Sequence, residues 1–320
     1  MWRLCVLVGL LAAVVSDPAA SDTRWPARPI RVVVPYTAGG FSDNIIRYLA
    51  PRLQERLGQP LVIENRPGAN SIIGVENVAK SAGDGYTFGL VIAAYAANRS
   101  LYAKLPYSPS DLRAVSLIAK APLIAAIRNN APFGEVQELI GYARTHPSKL
   151  TYGSTGQGSA AHLTTELLQE LAGIKLVHVT YRGAPQAIAD LAGGEIDLLL
   201  DIGSNIVNAS KSGRMRLIGV ATEQRLQALP DVPTFIEQGV TGMTGGSWVG
   251  VIAPAVTPQL IVDRLAAELR IVVGTPEVSR HLRELIAEPV GSTPPEFERF
   301  VELETEKWGQ VIRRANITPQ

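Results

Sequence analysis

Two glycine-rich turns, more than a hundred residues apart, each stand between an apolar strand and a helix. The first is Tyr36-Thr37-Ala38-Gly39-Gly40-Phe41-Ser42-Asp43, after a strand at 30–35. The second is Tyr152-Gly153-Ser154-Thr155-Gly156-Gln157-Gly158-Ser159, after a strand at 149–151. A strand–turn–helix unit used twice points to an α/β architecture in two halves. The N-terminus of a helix carries unpaired N–H groups and a partial positive charge, so it attracts anions. Glycine lets a ligand approach the backbone closely. One such turn in each half suggests a clamp for a small anion.

The rest of the chain keeps the alternation. Strands are expected at 30–35, 61–64 and 86–92, with helices at 43–57 and from Pro67-Gly68 to about Lys80. The first helix shows an apolar face of Ile45, Ile46, Leu49, Leu53 and Leu57. Pro51 lies inside it and should kink or restart it, at about 3 kcal/mol if unrelieved. Residues 115–127 read as extended, broken at Pro122. Further on come helix 134–145, strand 150–152, helix 159–171, strand 176–179, helix 185–191, strand 196–200, a helix near 205–210 and strand 216–221. The last part reads as mainly helical. Thr257-Pro258 opens one helix, and Thr293-Pro294-Pro295-Glu296 forms a capping box before another.

This order predicts parallel or mixed sheets with helices on both faces. No Pro/Ser-rich tether separates two halves, so the chain should cross between lobes more than once. Segments 115–120 and 217–221 would be the hinge strands. Lobe one would then comprise residues 22–120 and 222–320, and lobe two residues 121–221, with a ligand cleft between them that closes by small dihedral changes.

Charge limits the partners. Thirty basic against 29 acidic residues leave a net +1, with no basic run, so no nucleic-acid partner is expected. Arg3, an apolar stretch at 4–15 and small residues at 16–21 have the layout of a secretory signal peptide. Ala19-Ala20-Ser21 and Val14-Val15-Ser16 both fit a cleavage site, and an uncleaved N-terminal anchor is the alternative. The single cysteine, Cys5, lies in that segment, so the mature chain would hold no disulfide and no thiolate nucleophile.

Catalytic and cofactor motifs fit poorly. Gly156-x-Gly158-x-x-Ala161 has the letters of a dinucleotide fingerprint, but no acidic residue ends the next strand, which runs into Thr180-Tyr181. Ser159 and His162 lie one helical turn apart, yet no Gly-x-Ser-x-Gly elbow exists. An N-cap for Ser159 and a polar helix position for His162 are the simpler readings. The four histidines, His146, His162, His178 and His281, lack metal-ligand spacing. No cofactor, metal or catalytic residue is expected. Asp43 or Ser42 should cap the first helix, and the N–H groups of Gly39 to Ser42 would offer donors. Phe41 and Trp248 either line a pocket or pack. Asp201, at the end of a strand, either meets a ligand or caps a turn.

A further set of residues carries a resemblance. Trp25-Pro26-x-x-Pro29-Ile30-Arg31, Gly39-Gly40-x-x-Asp43, Glu64-Asn65-Arg66-Pro67-Gly68-Ala69 and Asp84-Gly85-Tyr86-Thr87 follow one another. Then come Leu105-Pro106-Tyr107, His178-Val179-x-Tyr181-x-Gly183, Leu229-Pro230-Asp231-Val232-Pro233-Thr234, Trp248-x-Gly250, Ala253-Pro254 and Glu288-Pro289-Val290-Gly291. In this order the chain resembles the Bug family, extracytoplasmic solute receptors of tripartite tricarboxylate transporters, from about Trp25 to its end.

The resemblance implies a type II periplasmic-binding-protein fold, a small carboxylate ligand held through backbone groups and ordered waters, and delivery to membrane transporter subunits. A monomer in the periplasm is expected. An alternative keeps the fold and passes the signal to a sensor kinase; an NAD-linked or hydrolytic α/β enzyme is the reading of another class. Expected ligand contacts are Thr37, Ala38, Gly39, Gly40, Phe41, Ser42 and Asp43 from the first turn, and Ser154, Thr155, Gly156, Gly158, Ser159 and Ala160 from the second. Ala94, Tyr181 and Asp201 complete the set. The sequence departs from the family's pattern at Thr37-Ala38, at Phe41 and at Ala93-Ala94-Tyr95-Ala96-Ala97-Asn98, where Ser and Thr are usual. A wall poorer in hydroxyls should favour an aromatic or branched carboxylate over citrate.

Overall fold

The computed structural model describes residues 25–318. The expected export segment at 1–21 lies outside them. The first half opens with β1 (Ile30–Val34), α1 (Phe41–Leu57), β2 (Leu61–Asn65), α2 (Ile72–Ala79), β3 (Thr87–Val91) and α3 (Ala93–Leu101). β1 is β-branched throughout apart from Arg31 and lies parallel between β2 and β3. Next comes β4 (Leu112–Arg128), a 17-residue strand.

The second half contains α4 (Val136–Thr145), β5 (Thr151–Ser154), α5 (Ala160–Ala172), β6 (Val177–Thr180), α6 (Ala184–Gly193), β7 (Leu198–Ile202), α7 (Gly203–Ser210) and β8 (Met215–Val220). The chain then returns through β9 (Gly246–Pro254), α8 (Gln259–Gly274), α9 (Pro276–Glu284), β10 (Glu288–Pro289) and α10 (Pro294–Arg314). The strands join in the order β2-β1-β3-β9-β4-β7-β5-β6, with β8 and β10 also paired to β4. The architecture is α/β, a mixed sheet flanked by helices.

β4 ties the halves together. From Leu112 to Pro122 it pairs antiparallel with β9, and from Leu123 to Ile127 with β7. Pro122 therefore marks where the strand changes partner, not where it ends. A proline cannot donate to a ladder, so the exchange of neighbours is placed where one donor is missing. The second crossing runs from β8 to β9 and is pinned to the first. Ala221 N–H donates to the Leu123 carbonyl (2.9 Å), Leu123 N–H to Gly245 (3.2 Å) and Gly245 N–H to Ala221 (2.9 Å). Residues 222–245 stay with the second half: Phe235, Val240 and Met243 are buried in its core beside Leu123, Ile127 and Leu200.

Three elements differ from expectation. α1 runs unbroken through Pro51, and Arg52 Nη1 donates to the Tyr48 carbonyl within that turn (2.7 Å). Residues 93–98, for which no helix was expected, begin helix α3 directly after β3; alanine is the strongest helix former, and it wins here. β9 is a full strand in a stretch expected to be mainly helical. The capping box at α10 is present, with Glu296 accepting both the N–H and the hydroxyl of Thr293 at 2.8 Å.

Candidate ligand-binding site

The first turn is braced from beneath. Asp43 is 1% exposed, and its carboxylate accepts the Gly39 N–H (2.8 Å), Arg47 Nε (2.9 Å) and Asn65 Nδ2 (2.9 Å). Asn65 Nδ2 also reaches the Tyr36 carbonyl (3.1 Å), and Arg47 Nη2 reaches Asn65 Oδ1 (2.9 Å). Burial would raise the Asp43 carboxyl, but the hydrogen bonds from Arg47, Gly39 and Asn65 prevail and hold it below the usual carboxylate range. Asp43 thus shapes the turn from inside. Gly39 takes φ +80°, which favours glycine, and Gly40 N–H closes onto the Thr37 carbonyl (3.3 Å). Thr37, Ala38 and Gly39 are exposed, Gly40 and Phe41 half-buried, and Ser42 and Asp43 buried. No side chain caps α1 at Gly40, so its first amides are left for an outside acceptor. Phe41 touches the cores of both halves.

The second turn is also held by its own groups. Ser154 lies at the end of β5, fully buried, with Oγ 2.6 Å from His178 Nε2 and accepting the Gly156 N–H (3.1 Å). Gly158 N–H donates to His162 Nδ1 (3.1 Å), and Ser159 Oγ caps α5 at His162 N–H (3.2 Å). Gly156 and Gly158 take φ +117° and +74°. Thr155 is exposed, and Gly156, Ser159 and Ala160 are half-buried.

The two turns stand against one loop. Residues 65–71 carry three consecutive left-handed residues, Ala69 (φ 46°), Asn70 (φ 51°) and Ser71 (φ 77°), before α2. Asn65, at its start, holds the first turn. Asn70, near its end, abuts the second: a methyl group on Gly158 would sit 3.2 Å from Asn70 Nδ2 and 2.5 Å from Leu101 of α3. Asn70 is fixed in turn by Asn98 of α3, through Nδ2 to Oδ1 (2.8 Å) and Asn98 Nδ2 to the Asn70 carbonyl (2.8 Å). These asparagines were not singled out from the sequence as site residues. Their signal was the tolerance of asparagine for left-handed backbone, visible only as part of the Glu64–Ala69 motif and its continuation.

Ala94 lies buried in the first turn of α3. Tyr181 adjoins the base of the second turn, its N–H donating to the Ser154 carbonyl (2.9 Å), but its ring and Asp201 lie on the other face of the sheet. Leu198, Leu200 and Ile202 of β7 share the core that holds Leu163 and Leu167 of α5, whereas Leu199 and Tyr181 belong to the core on the opposite face. Strand alternation puts Asp201 on that opposite face with Leu199. Burial and the nearby Asp190 carboxylate push the Tyr181 phenol up to about 12. Asp201 Oδ1 accepts Ile202 N–H (2.6 Å) and Asn205 Nδ2 (3.0 Å), and its buried Oδ2 has no partner among the described residues. Burial pushes this carboxyl up to about 6 against those two bonds. Trp248 is packed, edge-on to Phe297 and Phe300, with Nε1 on Glu304.

The chemistry offered by the turns is that of amide donors. Arg47 is paired with Asp43 and Arg66 with Glu64, while Arg99 lies over the Tyr95 ring with a buried Nε that has no partner among the described residues. Among the described residues no group of His, Cys, Asp or Glu is arranged to hold a metal ion. A groove of about 930 Å³ runs along the hinge, lined by Lys120, Trp248, Arg283 and Lys307, and neither turn contributes to it.

Comparison with known proteins identifies the family and the fold. The family model described as tripartite tricarboxylate transporter family receptor matches residues 45–317. An R. palustris protein solved with adipate is 37% identical, with a TM-score of 0.85 over 92% of this chain and 100% of its own. The periplasmic binding protein BugD is 31% identical, with a TM-score of 0.81 over 92% of this chain and 100% of its own. MatC from Rhodopseudomonas palustris, with bound malate, is 30% identical, with a TM-score of 0.80 over 90% and 100%. The two-lobed binding-protein fold expected from the sequence is the fold found. The chain belongs to the tripartite tricarboxylate transporter receptors, the family of the Bug solute-binding proteins.

Proposed function

We propose that this receptor works in the periplasm, capturing a small organic carboxylate between the turns at 37–43 and 154–160 and handing it to the membrane subunits of its transporter. One observation carries this reading: the uncapped first turn of α1 and the second glycine turn stand on the same loop, 65–71. Their free amides, and not a lysine or arginine, would meet the carboxylate. In this reading the second lobe runs from 121 to 245, because Phe235, Val240 and Met243 belong to its core.

In this reading Phe41 and the alanine-rich start of α3 would form an apolar wall beside the turns. Phe41 is half-buried, and Ala93, Ala94, Ala96 and Ala97 of α3 are buried without a hydroxyl among them. A carboxylate with an apolar body suits such a wall better than citrate, whose hydroxyl and third carboxylate would be left without partners. The related proteins solved with adipate and malate supply the first probes. Mass spectrometry of ligand retained under native conditions, followed by calorimetry with citrate, malate, adipate and benzoate, tests the proposal. Adipate or benzoate should bind more tightly than citrate. Tight citrate binding alone would defeat the preference, and no binding by any of the four would defeat the carboxylate reading.

A further inference from the structure

Beneath the second turn lies a stack of three rings that the ligand reading leaves unused. Tyr152 of β5 lies 4.8 Å from His178 of β6, and His178 lies 4.2 Å from His162 of α5, all within 15° of parallel. Each imidazole is bonded to the turn above. His162 Nδ1 accepts the N–H of Gly158 directly (3.1 Å). His178 Nε2 faces the Ser154 hydroxyl (2.6 Å), whose oxygen accepts the N–H of Gly156 (3.1 Å). The two glycines with left-handed backbone in this turn are therefore each pinned by one histidine.

We propose that His162 and His178 are positioning residues for ligand capture: together they pin the amides of Gly158 and Gly156 inward, so that the neighbouring amides of the turn face the carboxylate. This rests on the reading of that turn as the ligand site. It assigns a role to His162, which from the sequence looked like an ordinary polar helix residue.

The Gly158 N–H fixes His162 Nδ1 as an acceptor, and the short contact to Ser154 favours His178 Nε2 as one. With Nδ1 accepting, His162 carries its proton on Nε2, directed toward Glu166 Oε1 at 3.9 Å. Ser154 Oγ accepts from Gly156 and has two acceptors in reach of its own proton, His178 Nε2 (2.6 Å) and the Gly156 carbonyl (3.2 Å); the nearer takes it, which leaves the His178 proton on Nδ1. The charged group facing the pair is Glu166 of α5, whose carboxylate also accepts the Tyr152 hydroxyl (2.5 Å) and Gln169 Nε2 (2.7 Å). From β5 the pair meets Tyr152 and Ser154, and from β6 no further titratable side chain than His178 itself. Burial, helped by His178, holds the His162 imidazole down at about 3, and burial lowers His178 as well. Both rings thus remain neutral acceptors at neutral pH. Pre-set amides cost no reordering when the ligand arrives, which is how such a ring pair improves affinity without touching the ligand.

Isosteric substitutions separate this role from simple packing. A His162→Phe or His178→Phe variant keeps a ring in the stack but removes the acceptor. Adipate and malate affinities measured by calorimetry at pH 7.5 should fall by about tenfold or more in each. His162→Asn places an amide oxygen at the Nδ1 position and His178→Gln places one at Nε2; both should stay within about threefold of wild type. Should the phenylalanine variants not fold, His162→Asn against His162→Gln makes the same comparison, because glutamine carries its oxygen past the Gly158 amide. Phenylalanine variants that bind like wild type, or Asn and Gln variants at position 162 that bind alike, overturn the inference. Amide spectra of the ligand-free protein give an independent arm. His162→Phe should shift the Gly158 amide and His178→Phe the Gly156 amide. Unmoved amides refute the pinning even if wild type binds, whereas a wild type that binds no carboxylate refutes the ligand reading instead.

Discussion

Two buried aspartates show how one side chain can carry opposite pH signatures. Asp43 is held below the ordinary carboxylate range by Arg47, Gly39 and Asn65, so its contribution to stability is present above an unfolded value of about 3.9 and is lost as pH falls through the folded value. Asp43→Asn should therefore cost stability at neutral pH and cost less in acid, and adipate binding should weaken because Gly39 loses its anchor. Asp201 behaves in reverse. Its carboxyl titrates at about 6 in the folded protein, so the folded state holds the proton that the unfolded chain has already released. Stability from this group is intact below about pH 4 and declines as pH rises through 6. Asp201→Asn keeps the oxygen that accepts Ile202 and Asn205, and replaces a buried, unpaired Oδ2 with a neutral group. Its melting free energy relative to wild type should improve by ~2–3 kcal/mol between pH 3 and pH 8. Urea titrations of both variants across that range check the two slopes, and equal slopes for Asp43→Asn and Asp201→Asn would contradict the assignment.

At the scale of elements, the interior of the first half depends on a contact between backbone and ring. Gly250 of β9 lies under Phe297 of α10, and a methyl group there would come within 2.1 Å of the ring. Gly250→Ala should destabilise by about 1–3 kcal/mol through overpacking, and Phe297→Ala by about 3–5 kcal/mol through the cavity left behind. The double variant should cost less than the sum of the two, which chemical denaturation can measure. This contact also shows why β9 escaped the sequence reading. Trp248-x-Gly250 lacks clean alternation, because the strand is buried on both faces and one position must be empty to admit a ring. The elements that were legible, β1, α1, α5 and the cap of α10, each declare themselves locally through a β-branched run, an apolar stripe or a Thr-to-Glu box. α3 was obscured because its alanine-rich start follows β3 directly, with no turn or capping residue to announce a helix. In the candidate site both glycine turns could be read as turns. The residues that hold them, Asn65, Asn70, His162 and His178, could not, since their partners lie 4 to 28 positions away and only the fold brings them together.

For the molecule as a whole, three of the connections between the halves bear most directly on cooperativity. Two are the β crossings pinned at Leu123, Ala221 and Gly245. The third is α10, which is split between cores: Phe297 and Val301 are buried in the first half, and Trp308, Val311 and Ile312 in the core that contains Leu123 and Leu163. Trp308 is 1% exposed, and its indole N–H donates to Glu304 Oε2 (2.9 Å), which also accepts from Trp248 (3.1 Å). One carboxylate thereby couples a strand of the hinge to the helix that spans it. Trp308→Ala empties the end of α10 that engages the second half and should cost about 3–5 kcal/mol. The loss falls on the coupling more than on either core. Calorimetry should therefore resolve the single wild-type transition into two, the earlier one belonging to the second half, whereas Leu49→Ala, buried within the first half alone, should lower one transition without splitting it. On the proposed binding mode, in which turns from both halves hold the ligand, a saturating carboxylate should draw the two Trp308→Ala transitions back together, since a ligand bound to both stabilises them as one unit. Two transitions that ignore the ligand would mean that the turns do not share it.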